Sequence, residues 1–216
     1  ALKSTVILKG NILVRYLAMI TAYSIFTNLS AGMGTETIAA NGLLLQIVLL
    51  SQFTVNGIGL TTQTLIGNFK GKGKTEQMMP LLSVAMFASL VISLMFASVS
   101  IMFPEMVFTL LTSHNEISSN AIAYMTWLLP LLCCGAVAFV LEGYVIGLKE
   151  SAKLRNSALV ALGFGFVPTA WFAWYFQSNS LLWFSLTMYM ATLAISLGIK
   201  IWGIQTSQNL SWQNES

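Results

Sequence analysis

The sequence predicts an all-α integral membrane protein of six transmembrane helices. Three observations carry that prediction. Of 216 residues, 56% are hydrophobic and 8% charged, whereas a soluble domain carries about 25% charged residues. Six mostly apolar stretches are each long enough to cross the ~30 Å hydrocarbon layer, which takes about 20 residues. Every Lys and Arg falls on one side of the membrane once those stretches are threaded through it.

The stretches run over 11–29, 38–67, 78–103, 121–147, 156–176 and 181–202. Short breaks of turn chemistry separate them. Ser30 to Thr35 is a glycine turn, and Asn68 to Glu76 a Gly/Lys turn. Pro104 to Asn120 is the longest break, and Phe108 to Leu111 within it reads as a short surface helix. Lys149 to Arg155 is basic, and Gln177 to Ser180 is a tight polar turn. Residues 1–204 therefore read as one six-helix transmembrane bundle, and 205–216 as a polar cytoplasmic tail. Barrel strands would be 9–11 residues with strict alternation, which these runs lack.

An even number of spans puts both termini on one face. That face collects Lys3, Lys9, Arg15, Lys70, Lys72, Lys74, Lys149, Lys153, Arg155 and Lys200, all 10 basic residues of the chain. The opposite face collects Glu36, Glu105, Glu116 and His114. Such a split predicts cytoplasmic termini in a multi-pass protein of the cell (plasma or inner) membrane. The chain opens on Ala1 without the charged, apolar and small-residue regions of a signal peptide, as expected of a chain processed or cut from something longer.

Several function classes lose support here. No basic patch interleaved with aromatics points to nucleic acid. Cys133 and Cys134 are adjacent in an apolar run and read as packing residues, not as a disulfide or metal site. No Ser/His/Asp set and no phosphate loop is present; Gly67-x-x-x-Gly71-x-Gly73 follows a membrane helix, not a strand. The chain reads as a non-enzyme that needs no cofactor.

Polar residues inside spans are more informative. In the second span Asn41, Gln52, Asn56 and Gln63 are spaced 11, 4 and 7 apart. At about 100° per residue they share a stripe roughly 60° wide, with Gly59 on it. A one-sided amide stripe faces the bundle interior or water, either as interhelical glue or as the lining of a solute cavity. Glu142 is the one acid well inside a span, and burying an acid costs about 2.5–3.5 kcal/mol on insertion scales, so it is a functional candidate. It also stands seven residues before Lys149, close enough to the interface to pair with a basic side chain. Arg15 lies a turn inside the first span, from where it can snorkel to the interface. Pro130 and Pro168 are expected to kink the fourth and fifth spans. Gly57-x-Gly59, Gly67-x-x-x-Gly71, Gly143-x-x-x-Gly147 and Gly163-x-Gly165 are expected to permit close helix approach.

Four stretches carry a family resemblance. They are Phe26-Thr27-Asn28-Leu29-Ser30-Ala31 with Gly34-Thr35, Ala39-Ala40-Asn41 with Leu44-Leu45-Gln46, Asn56-Gly57 through Leu65-Ile66-Gly67, and Glu142-Gly143-x-x-x-Gly147 with Leu154-Arg155-Asn156. Together they resemble the C-terminal half of a multidrug and toxic compound extrusion (MATE) transporter of the DinF-like branch. The resemblance implies one lobe of a twelve-helix transporter, with a central cavity between this bundle and an N-terminal six-helix lobe absent from the chain. It implies a proton- or sodium-driven antiporter exporting small cationic or amphipathic compounds by alternating access. On that reading Asn41, Gln52, Asn56, Gln63 and Glu142 are candidates for binding substrate or cation. DinF-like relatives often carry acids where Asn56 and Gln63 stand and Asp where Glu142 stands. The amides cannot titrate, so proton coupling through the second span is in question, whereas Glu142 keeps the carboxylate. Alternatives are a lipid-linked precursor flippase of the same superfamily, against which the scarcity of intramembrane basic residues argues, and a non-transporting truncated product or membrane subunit.

Overall fold

A computed structural model describes residues 2–112 and 120–214, with side chains described over 4–112 and 120–205. His114 and Glu116 lie outside the described residues. Helix α1 spans Leu2–Gly32, α2 Thr35–Gly71, α3 Met78–Met102, α4 Pro104–Leu111, α5 Leu128–Gly147, α6 Ser151–Val160, α7 Val167–Phe176 and α8 Asn179–Asn214. A π-helical stretch, Ala161–Phe166, joins α6 to α7 as one span. Six helical segments are long and apolar enough to cross a membrane: Ser4–Gly32, Thr35–Gly71, Thr75–Met102, Asn120–Gly147, Ser151–Phe176 and Asn179–Gln205. They extend past the hydrophobic runs at most ends, because hydropathy marks the lipid slab whereas the backbone stays helical until a cap or turn stops it. The last helix continues through the residue-204 boundary into the polar segment.

Burial sorts the spans into two sets. The second, fourth and sixth are half buried or more, and the first, third and fifth about a quarter. Helix α5 is central and packs on α2, α3 and α8. Its contact with α2 is possible only for glycine. A Cβ on Gly143 would sit 2.1 Å from the Gly59 carbonyl oxygen, and one on Gly147 2.7 Å from that of Gln63. Helix α3 docks through small residues, Ala85, Ser89, Ser93, Ala97 and Ser100, at helical spacing. Close backbone approach and dispersion replace the hydrophobic effect as the glue between membrane helices.

Each of the two prolines follows a break in regular α-helix inside its span. Pro130 stands in the first turn of α5, just after the turn and 3₁₀ residues that break the fourth span's α-helix, Met125–Trp127 among them. Pro168 follows the π-helical stretch and occupies the first turn of α7. A proline lacks the N–H that would bond the carbonyl four residues back, and its ring crowds that carbonyl, so the helix departs from α geometry in the turn before it. The surface helix expected around Phe108 is present as α4, which begins on Pro104.

Exposed hydroxyls on the spans need no aqueous surroundings. Thr21, Thr27, Thr54, Thr61 and Thr64 each donate to the carbonyl four residues back, at 2.7–3.0 Å. A threonine whose hydroxyl is satisfied by its own helix can face lipid.

Candidate functional site

The buried side of α1 is a line of residues spaced three or four apart: Asn11, Arg15, Ala18, Ala22, Phe26 and Ser30. This face meets the amide stripe of α2. The four stripe residues face inward, but they do not converge on one site.

Asn41 is 1% exposed, and its amide is fully engaged. Its Nδ2 donates to Ser30 Oγ and to Asn179 Oδ1, both at 2.7 Å. Its Oδ1 accepts from Asn179 Nδ2 at 2.9 Å and from Trp183 Nε1 at 3.0 Å. Trp183 packs edge-on against Phe26, ring centroids 4.9 Å apart. This node ties α1, α2 and α8 together at the end away from the termini. Gln52 is also buried and donates to the Tyr23 hydroxyl at 2.8 Å. Asn56 and Gln63 are half-buried and line a narrow cleft of about 30 Å³ with Ile12, Arg15, Phe139 and Glu142. Asn41 lies about 22 Å along the helix from Asn56.

Glu142 lines that cleft from α5. It sits on α5 beside Gly143, where α2 and α5 nearly touch, so its side chain leaves the crossing toward α1. Arg15 meets it there. Arg15 Nε donates to Glu142 Oε1 at 2.7 Å, and Nη2 bonds Oε2, completing a two-pronged pair. Arg15 is 4% exposed and Glu142 5%. The guanidinium carbon lies 4.6 Å from the Tyr16 ring centroid and 5.3 Å from that of Phe139. Snorkelling of Arg15 to the interface is therefore overturned: a buried acid within reach is a better partner than a distant headgroup, because either charge alone would be stranded. The Tyr189 hydroxyl lies within electrostatic reach of both charges, is buried, and has no hydrogen-bond partner among the described residues.

Toward the termini, Asn11 Nδ2 donates to Ser151 Oγ at 2.9 Å and Asn11 Oδ1 accepts from Arg155 at 3.1 Å.

A second, larger space lies on the outer side of α1 and α2. An open cleft of about 580 Å³ is lined by Met19, Tyr23, Ser24, Thr27, Asn28 and Leu49 among others. Of its polar residues only Tyr23 reaches the interior, where its hydroxyl meets Gln52. Sequence reasoning passed over this surface as a site, although Ser24, Thr27 and Asn28 stand at helical spacing on α1. The signal was weak because Ser and Thr in a span are ordinarily satisfied by their own helix.

The chain matches the MatE family model over residues 12–171. It is 27% identical over 198 residues to DNA damage-inducible protein F of Escherichia coli (strain K12), covering 90% of this chain and 42% of that protein. Its fold is similar to that of a MOP superfamily transporter from Pyrococcus furiosus Vc1, described as having a binding pocket of reverse polarity that suggests a different function. It is equally similar to a multidrug resistance MATE family transporter of the MOP superfamily in an outward-facing conformation. Each superposes with a TM-score of 0.77 at 17% identity, over 93% of this chain and 44% of the other. The chain thus spans less than half the length of these relatives. With the family model matching well over half of its residues, and with a six-span bundle of the corresponding fold, the chain belongs to the MatE family of membrane transporters.

Proposed function

We propose that this bundle is one lobe of a secondary active antiporter that exports small organic compounds, amphipathic or cationic, by alternating access. The observation that carries the reading is the open cleft of about 580 Å³ on α1 and α2. It has one wall only. A chain covering 42–44% of its relatives leaves room for a second bundle to supply the other wall. The lining pairs apolar Met19, Ile20, Ile38 and Leu49 with hydroxyl, phenol and amide groups, the composition of a pocket for an amphipathic solute. No acid is among the lining residues, so a cationic solute would find its counter-charge on the other lobe.

The driving force in this reading is a proton or sodium gradient. One charge crossing a 100 mV potential releases about 2.3 kcal/mol, and a tenfold solute gradient requires about 1.4 kcal/mol. The orientation proposed is both termini in the cytoplasm of a plasma or inner membrane, supported by the one-sided distribution of Lys and Arg. The flippase reading is weaker: the one basic side chain buried inside the described spans, Arg15, is neutralised by Glu142 and unavailable to a phosphate.

The test uses the full-length transporter in proteoliposomes. An imposed pH or sodium gradient should drive uphill movement of a fluorescent amphipathic cation. A cysteine at 28, with Cys133 and Cys134 replaced by Ala, should be alkylated by a polar maleimide and protected by that solute. A cysteine at 177, in the exposed turn after α7, should react without protection. Flux indifferent to both gradients, or equal protection at 28 and 177, would sink the proposal.

A further inference from the structure

The buried Arg15–Glu142 pair says something about the ion that drives such a transporter. Glu142 is the one acid buried among the described residues, and thus the natural place in this bundle for an exchangeable cation. That place is taken. A planar cation bonds both carboxylate oxygens and lies against the faces of Tyr16 and Phe139. Carboxylate and aromatic faces together are the elements of a cation site. The cleft beside it holds about 30 Å³, room for about one water and not for a hydrated ion.

We propose that Arg15 is the resident cation of the Glu142 site, so that this lobe has zero net charge at its centre and neither binds nor releases the coupling ion. Arg15 is a specificity-determining residue in this sense: its presence closes the site to free Na⁺ and to protons. A proton arriving at Glu142 would have to displace a bidentate guanidinium and leave it buried without its partner. A bare Na⁺ would meet the same barrier and the repulsion of the guanidinium. If Arg15 is shortened, the vacated space is bordered by oxygen-bearing side chains, Glu142, Asn56 and Gln63, and hard cations take oxygen ligands. A latent cation site should then open.

The inference deepens the antiport reading and can be tested apart from it. The full-length protein is purified in detergent, and its thermal unfolding midpoint and tryptophan fluorescence are followed while Na⁺ replaces choline at constant ionic strength, and separately while pH is varied. Whatever ion response the wild type has, contributed by the other lobe, should persist in the charge-free double variant Arg15→Gln/Glu142→Gln within about twofold in apparent affinity. The single variant Arg15→Gln should gain an additional saturable response to Na⁺ or to acid, absent from the wild type and removed by adding Glu142→Gln. Arg15→Lys, which keeps a tethered cation, should gain none. Loss of the wild-type ion response in the double variant, by tenfold or more, would overturn the proposal and make Glu142 part of the coupling site. The double variant decides alone if the single one cannot be recovered folded. An absence of gradient-driven flux in the wild type would defeat antiport, while the gain of response in Arg15→Gln would still report on the site.

Discussion

Two of the polar clusters on the buried face of α1 are built on opposite principles. The Asn41 node is neutral and divided: four hydrogen bonds run among Ser30, Asn41, Asn179 and Trp183, from three helices. The Arg15–Glu142 cluster, about 22 Å away along α1, is charged and undivided, with one cation and one anion satisfying each other. A neutral node loses stability in steps, bond by bond. An ion pair in a dry interior fails at once when either partner goes, yet costs little when both go. The first arrangement suits permanent fastening. The second suits a fixed local charge balance that nothing outside the protein can adjust.

The largest expected effect lies at the ion pair. Arg15→Leu should destabilise the protein by roughly 3–5 kcal/mol, whereas Arg15→Leu/Glu142→Leu should return close to the wild type, as measured by denaturant titration in detergent. A double variant as damaged as the single would break the contrast. Next is the crossing that positions Glu142. Gly143→Ala should cost about 1–3 kcal/mol, because its Cβ would meet backbone and not a movable side chain. Gly57→Ala, at a helical glycine with open space around it, should be neutral or stabilising by about 0.5–1 kcal/mol. Equal effects at the two glycines would remove close packing as the cause. The amide node should respond in proportion. Asn41→Ala, which removes bonds to three partners, should cost about 2 kcal/mol at ~0.6 kcal/mol per contact, and Ser30→Ala about 0.6 kcal/mol. A loss at Ser30→Ala as large as that at Asn41→Ala would show that the node acts as one unit after all. The smallest effect belongs to Thr61→Val, within about 0.5 kcal/mol, because the hydroxyl bonds only its own helix. A clear loss of gradient-driven transport in this variant would instead place Thr61 in contact with solute or the other lobe.

Much of the fold was legible because lipid imposes simple rules. A span must be long, apolar and internally hydrogen-bonded, so 78–103 and 121–147 could be read almost to the residue. The single-sided amide stripe was equally readable, since helical period fixes direction. Its partners were not. Asn41 and Asn179 meet across 138 positions, and nothing local to either residue encodes the other. The same holds for Glu142. Its burial made it a candidate from sequence, but its neutralisation depends on Arg15, 127 positions away on another helix.

By itself, then, the sequence determined the membrane habit, six spans, the inward face of α2 and the residue types able to carry charge into the bundle, because each of these follows from composition or from the helical period along one segment. The folded bundle separates polar groups that fasten one helix to another from those bonded only within their own helix. The α2–α5 crossing at Gly59 and Gly143 turns Glu142 toward α1, the buried line on α1 presents Arg15 at the same depth, and the pair cancels. Ser24, Thr27 and Asn28 are left facing outward on an open wall. Whether a buried charge is a site or a strut depends on what stands a few ångströms away, and in a bundle that neighbour comes from a distant part of the chain.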